Sequence, residues 1–193
     1  MILIAFNKPF DVVCQFRPHP PKQTLSNYIE TENIYPCGRL DRDSEGLLLL
    51  TDDGLLQHRI TAPKLKMKKG YWVQVEGIPT PEALNLLSKG VELNDGMTSP
   101  AQVQAIAEPQ IWEREPPIRE RKSIPTQWLD ISIKEGRNRQ IRRMTAKIGY
   151  PTLRLIRYRI GPWYLNDLGS GQSELRDVPK SIENELKQLK GKS

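Results

Sequence analysis

Histidine and cysteine are nearly missing from this chain, with two of each in 193 residues. His19 and His58 lie far apart, which excludes a histidine-rich metal site. Cys14 and Cys37 are too few for a disulfide framework in a chain of this length, and they point to reduced thiols and a cytoplasmic setting. No apolar run is long enough to cross a bilayer, so no membrane association is expected. The opening Met1-Ile2-Leu3-Ile4-Ala5-Phe6 is too short for a signal-peptide core and reads as a first strand. Neither a P-loop nor a dinucleotide glycine fingerprint occurs, which argues weakly against a nucleotide cofactor. Internal repeats are absent as well.

What is present is positive charge. Lys and Arg number 29 against 23 Asp and Glu, a net charge of +6, which favours an anionic partner without identifying it. The length suits one domain or one domain of two lobes. Tyr71, Val73 and Val75 alternate with Trp72, Gln74 and Glu76, a strand with two distinct faces. Thr80-Pro81-Glu82 opens a helix that Gly90 closes. Ala101–Ile106 is a weaker strand, and Leu129, Ile131 and Ile133 mark another. Residues 108–127, rich in proline and charge and holding Arg119, Arg121 and Lys122, read equally as a mobile loop over a ligand or a disordered insertion. From residue 179 onward the chain reads as a charged, frayed helical tail. Strands and helices in no strict βαβ order imply an α+β fold around a mainly antiparallel sheet.

The densest chemistry lies in Gly38-Arg39-Leu40-Asp41-Arg42-Asp43-Ser44-Glu45-Gly46, which runs into Leu47–Leu50 and Thr51-Asp52-Asp53-Gly54. The leucine run reads as a short buried strand, so Asp41 sits in a turn beside the core with Arg39 close by. An adjacent positive charge favours an ionised carboxylate, suited to a nucleophile or an electrostatic anchor. Asp41, Asp43, Glu45 and Asp52 also fit positions of a calcium-loop template. Pro36 and Gly38 spoil the entering helix, and the leucines read as a strand, so calcium is disfavoured. A glycosidase reading of Asp41 with Glu45 is poorer, for want of aromatic sugar platforms.

A second cluster, Arg137 to Ile148, reads as a basic helix stopped by Gly149. At 100° per residue Ile141, Met144, Thr145 and Ile148 share one side. Arg139, Arg142, Arg143 and Lys147 fall opposite, where they face either RNA phosphates or solvent. Arg137 falls on the apolar side and is expected to point inward.

Gly38–Asp41 with Gly46 and Thr51-Asp52-Asp53-Gly54 resembles the signature of the RsuA-type pseudouridine synthases. Asn7-Lys8-Pro9, Lys69-Gly70-Tyr71-Trp72-Val73, Glu135–Met144, Leu155-Ile156-Arg157 and Ile160-Gly161 resemble further family motifs, in the family's order. The similarity spans roughly residues 2–178, which implies a catalytic domain over 1–178 and a separate tail at 179–193. It implies a mixed, mainly antiparallel sheet in two lobes flanking a cleft. It implies conversion of a uridine of ribosomal RNA to pseudouridine, with no cofactor and no metal. Asn7-Lys8-Pro9 begins so early that no S4-like RNA-binding domain is expected ahead of it. Finer matches at Gly77–Thr80, Pro116–Thr126 and Pro151–Tyr158 resemble members that act on the large-subunit (23S) RNA. For oligomeric state a monomer is the default expectation.

By this resemblance Asp41 is the essential carboxylate, either attacking C1′ or removing a ribose proton. Arg137 would supply its counter-charge. Arg39 would help fill the space the uridine vacates or hold the flipped backbone. Tyr71 would stack on the uracil ring and could assist proton loss from C5, and Leu155 would line the ring's other side. Asp43 and Glu45 read as turn and surface groups, and Asn7 and Lys8 as the cleft floor. A non-catalytic RNA-binding assembly protein is the competing reading.

Overall fold

The computed structural model describes residues 1–65, 67–118 and 123–190. Strand β1 (Leu3–Lys8) is followed by β2 (Tyr35–Pro36), β3 (Glu45–Thr51) and helix α1 (Gly54–Thr61). Then come β4 (Lys69–Glu76), α2 (Pro81–Lys89), and a small hairpin of β5 (Glu92–Leu93) and β6 (Gly96–Met97). The chain continues through β7 (Gln102–Ile106), β8 (Thr126–Ile133), α3 (Gln140–Lys147), β9 (Thr152–Ile160), β10 (Trp163–Tyr164), β11 (Ser173–Leu175) and α4 (Lys180–Lys190).

Local chemistry explains the boundaries. Asp53 caps α1 by accepting from the amides of Leu55 and Leu56, so the Thr-Asp-Asp-Gly segment ends a strand and starts a helix. Thr80 caps α2, with Pro81 at its first position. The described residues form a mixed sheet in the order β11-β1-β3-β9-β4-β8-β7, with β2 on β3 and β10 on β9. Every pairing is antiparallel except that of β3 with β9. This is the mainly antiparallel α+β architecture that the sequence implies. No described helix is long and apolar enough to cross a membrane.

The β3–β9 seam divides the sheet. On one face a single core runs across it, joining Leu47 and Leu49 to Ile156 and Trp128. On the other face Leu48 and Leu50 belong to one core and Tyr71, Val73 and Leu155 to another. Strand β3 is therefore buried on both faces, which is why its leucines do not alternate with polar residues. Between the two separate cores the sheet carries Arg157, paired in register with Gly46.

Three expectations are corrected. The basic helix starts at Gln140, so Arg137 precedes it and the helical wheel does not fix its direction. The tail is no frayed appendage: amphipathic α4 buries Ile182 and Leu186 in the through-going core. Glu45 is no surface group but a fully buried residue of β3. Within residues 107–118, Ile111 and Trp112 pack on the core while Glu115, Pro116 and Pro117 are exposed, and Arg119, Arg121 and Lys122 are outside the described residues.

Gly46 carries the tightest constraint in the seam. Its φ is +100°, and a Cβ there would sit 2.4 Å from the Arg157 carbonyl oxygen. Gly46→Ala is expected to cost roughly 2–4 kcal/mol, combining left-handed strain with overpacking. Thermal unfolding should then show a Tm lowered by on the order of 10 °C; an unchanged Tm would show that the seam relaxes freely.

Candidate active site

The turn that carries Asp41 is held by its own carbonyls. Arg157 donates from Nη1 to the carbonyl of Arg39 at 3.4 Å, and the Ser44 amide donates to that of Asp41 at 3.0 Å. The carbonyl of Arg42 accepts from Lys8 Nζ at 3.3 Å and from the Asp11 amide at 2.9 Å. Arg142 Nη2 reaches the carbonyl of Asp43 at 2.7 Å. Each of these bonds fixes backbone, so the position of the turn is set without engaging the Asp41 carboxylate.

Lys8 is wholly buried and also donates to the carbonyls of Pro9 and Val12. Burial lowers its pKa to about 8. It braces the turn from behind and, with Asn7, is absent from the cleft lining, contrary to the expectation of a floor role.

In front of the turn opens a cleft of about 1130 Å³. Arg39, Asp41, Tyr71, Arg137, Arg139 and Leu155 all line it, residues spread over more than a hundred positions of sequence. Tyr71 and Leu155 are buried in adjacent strands, with Tyr71 opposite Arg157 and Val73 opposite Leu155. Removal from water raises the pKa of the Tyr71 phenol; Arg157 opposes the rise and Asp41 adds to it. Cys37 also borders the cleft, but burial pushes its thiol up to about 12, so it stays protonated and unreactive.

The charge partners differ from those expected. Arg137 does not pair with Asp41. Its guanidinium grips the β5–β6 hairpin through the carbonyls of Asp95, Gly96 and Met97, at 3.2, 2.9 and 2.6 Å, and contacts Glu135 at 3.4 Å. Preceding the helix, it follows the loop rather than the helical phase. Arg39, expected beside Asp41, is exposed at the rim and forms no ion pair among the described residues.

Arg139 takes the place given to Arg137. It binds Asp43 through two hydrogen bonds of 2.9 and 2.7 Å and approaches Asp41 Oδ2 at 3.5 Å. Its hydrogen bond holds the Asp43 carboxyl below the usual range. Arg139 is itself in the left-handed region, φ +47°, at the N-cap of α3. Such strain in a non-glycine residue persists only where the surroundings enforce it, and here the enforced conformation aims the guanidinium at the turn. The Asp41 side chain keeps 35% of its surface exposed to the cleft.

The expected phosphate-facing row is therefore mostly engaged. Arg139 and Arg142 serve the turn, Arg143 is paired with Asp95 at 2.8 Å, and Lys147 is exposed. Two groups that the sequence reading placed in motifs but gave no role, Lys69 and Arg157, form part of the cleft floor. Their spacing of two from Tyr71 and Leu155 was the available signal, because residues two apart in a strand share a face. Among the described residues no cluster of His, Cys, Asp or Glu is arranged to hold a metal. Asp41 and Asp52 sit at opposite ends of β3, with Glu45 turned into the core, so the calcium-loop positions diverge.

Sequence comparison accords with this geometry. The RNA pseudouridylate synthase family matches residues 2–147. Ribosomal large subunit pseudouridine synthase E of Vibrio vulnificus is 57% identical over 92% of this chain and 76% of its own. The protein of the same name from Xanthomonas axonopodis pv. citri is 55% identical over 86% of this chain and 90% of its own. A crystal structure of a pseudouridylate synthase superposes with a TM-score of 0.77 at 27% identity, over 96% of this chain and 73% of the other. With matches of this length and identity, and a fold of this kind, the chain is an isomerase that makes pseudouridine in RNA and a member of the RNA pseudouridylate synthase family.

Proposed function

We propose that the chain isomerises a uridine of large-subunit (23S) ribosomal RNA, as a cytoplasmic monomer, with Asp41 as the essential carboxylate. The observation that carries this reading is the exposed Asp41 carboxylate facing a floor of Tyr71 and Leu155, on a turn immobilised through its carbonyls. The large-subunit substrate is supported by the relatives of 57% and 55% identity.

The reaction breaks the bond between uracil N1 and ribose C1′, turns the base, and joins C1′ to C5, from which a proton is lost. The target base must first leave its stack, at a cost of a few kcal/mol. Arg39, exposed at the rim and free of ion pairs among the described residues, is suited to the vacated space or the flipped backbone. Tyr71 and Leu155 then hold the ring within reach of Asp41, whose carboxylate either attacks C1′ or takes a ribose proton. Arg139 orients that carboxylate and balances its charge, while Arg137 shapes the wall by fixing the β5–β6 hairpin. Arg142 positions the turn. Lys147, and Arg143 where RNA displaces Asp95, supply contacts to phosphate.

Tritium release from ribosomal RNA labelled at uridine C5 tests the assignment. Asp41→Asn is expected to abolish release while RNA affinity stays within about threefold, since one carboxylate adds nothing to the phosphate contacts that dominate affinity. Release by Asp41→Asn at the wild-type rate would overturn the role of Asp41.

Arg139→Ala should lower turnover by roughly 100-fold or more, the scale for losing one preorganised electrostatic partner. Arg137→Ala should act mainly through KM, because its bonds go to the hairpin wall. Steady-state kinetics of the two variants side by side decide the matter, and a larger kcat loss for Arg137→Ala would reverse the assignment.

A further inference from the structure

The floor of the cleft carries more positive charge than the turn requires. Arg157 is 4% exposed and lies in the seam between the two cores. Its Nε donates to the carbonyl of Leu47 at 2.8 Å and its Nη1 to that of Arg39. Nη2 is buried and, among the described residues, meets no carboxylate or carbonyl; the guanidinium lies against the Tyr71 phenol, whose rise in pKa it opposes. Opposite it on β4 stands Tyr71, and two residues before Tyr71 stands Lys69, which lines the same cleft. The one hydrogen bond of Lys69 Nζ among the described residues goes to the carbonyl of Met67, at 3.3 Å, and no described carboxylate pairs with it. Burial lowers its pKa to about 8, with Arg157 contributing, so the ammonium is still the main form at pH 7.

Two buried or half-buried cations without a carboxylate are costly unless something anionic completes them. They flank the tyrosine and leucine that would enclose the ring, deeper than the rim where a backbone phosphate passes. We propose that Lys69 and Arg157 form an anion-stabilising pocket for the uracil ring itself, acting on the charge the base acquires as its glycosidic bond breaks. This inference rests on the reading of Asp41, Tyr71 and Leu155 given above.

The electron pair of the N1–C1′ bond stays with the departing base, and the ribose carbon either bonds to Asp41 or is left as a glycal after proton loss to it. The resulting uracil anion spreads its charge over N1 and the two carbonyl oxygens. Fixed donors aimed at those oxygens stabilise the transition state more than the neutral ground state, which is the condition for acceleration. When C5 attacks C1′ the ring becomes neutral, and Asp41 either leaves C1′ with its bonding pair or returns the ribose proton to the glycal. The C5 proton then departs and N1 takes one up, so the base ends neutral and the pocket is reset. No oxidant, reductant or further reactant is needed.

The test compares Lys69→Met with wild type on two RNAs, one transcribed with uridine and one with 5-fluorouridine. Fluorine withdraws electron density, so the fluorinated anion needs less help. Single-turnover cleavage and rearrangement at saturating RNA, read by chromatography after nuclease digestion, should fall by about 100-fold on uridine RNA. The loss on fluorinated RNA should be less than about 10-fold, with RNA affinity unchanged. Arg157→Lys, which keeps a cation in the seam, should show the same substrate-dependent defect in milder form. Equal losses on both RNAs would reduce Lys69 to a structural residue and overturn the proposal. A loss confined to affinity would do so too, marking the pocket as a phosphate site. Wild-type protein inactive on both RNAs would instead sink the underlying reading of the site.

Discussion

The side chain of Arg157 in the β3–β9 seam is the constraint on which the other parts depend. The sheet is built from two antiparallel halves joined by one short parallel contact, Glu45 to Ile156 and Gly46 to Arg157. A parallel contact of two residues offers few backbone bonds, so it needs reinforcement. Arg157 provides it by bonding the carbonyl of Leu47 within β3 and that of Arg39 before the turn. The same guanidinium therefore joins the halves and sets the entry of the Asp41 turn. Gly46 permits this approach, since any side chain there would collide with the Arg157 backbone.

Around that seam the protein spends its cations on carbonyl oxygens. Lys8, Arg142 and Arg157 hold the turn, and Arg137 holds the hairpin that walls the cleft. Carbonyl acceptors let a positive charge be buried without neutralising a carboxylate. Asp43 absorbs most of Arg139, leaving Asp41 with one long contact and an open face toward the cleft. In the role proposed for Asp41 a carboxylate must be oriented without being consumed by its partner, and dividing Arg139 between two aspartates meets that need.

On the opposite face of the sheet the seam is closed differently. Glu45 is buried with Arg154 in a two-bond ion pair, and Trp112 Nε1 donates to the same carboxylate at 2.9 Å. Arg154 also donates to the carbonyl of Trp112 and lies against its ring. A buried ion pair gains little in stability on its own, because desolvation offsets the attraction. Its effect here is directional. It fixes the first residue of β3, two positions after Asp43, and pins the segment after β7 across the back of the sheet. The acidic cluster of the sequence is thus split: Asp41 faces the cleft, Asp43 faces Arg139, and Glu45 faces the core.

How much of this could be read in advance follows from the range of each interaction. The buried leucine strand, the two-faced β4, the proline-started α2 and the α+β class were legible, because they depend on side-chain period and local capping. The motifs also singled out the residues that line the cleft, Asp41, Tyr71 and Leu155 among them. Partner identity was not legible. Arg137 and Arg139 differ by two positions in one loop, and only the left-handed backbone at Arg139 decides which reaches Asp41. Nor did the sequence mark Lys69 and Arg157 as cations without carboxylates, since that depends on what the neighbouring strands fail to supply. The sequence by itself determined the elements and the inventory of reactive groups, which are local properties of period and composition. Tertiary structure alone decided which charge meets which, because ion pairs and buried donors are settled by distances between segments as far apart in sequence as Arg39 and Arg157, 118 residues, or Asn7 and Leu168, 161 residues.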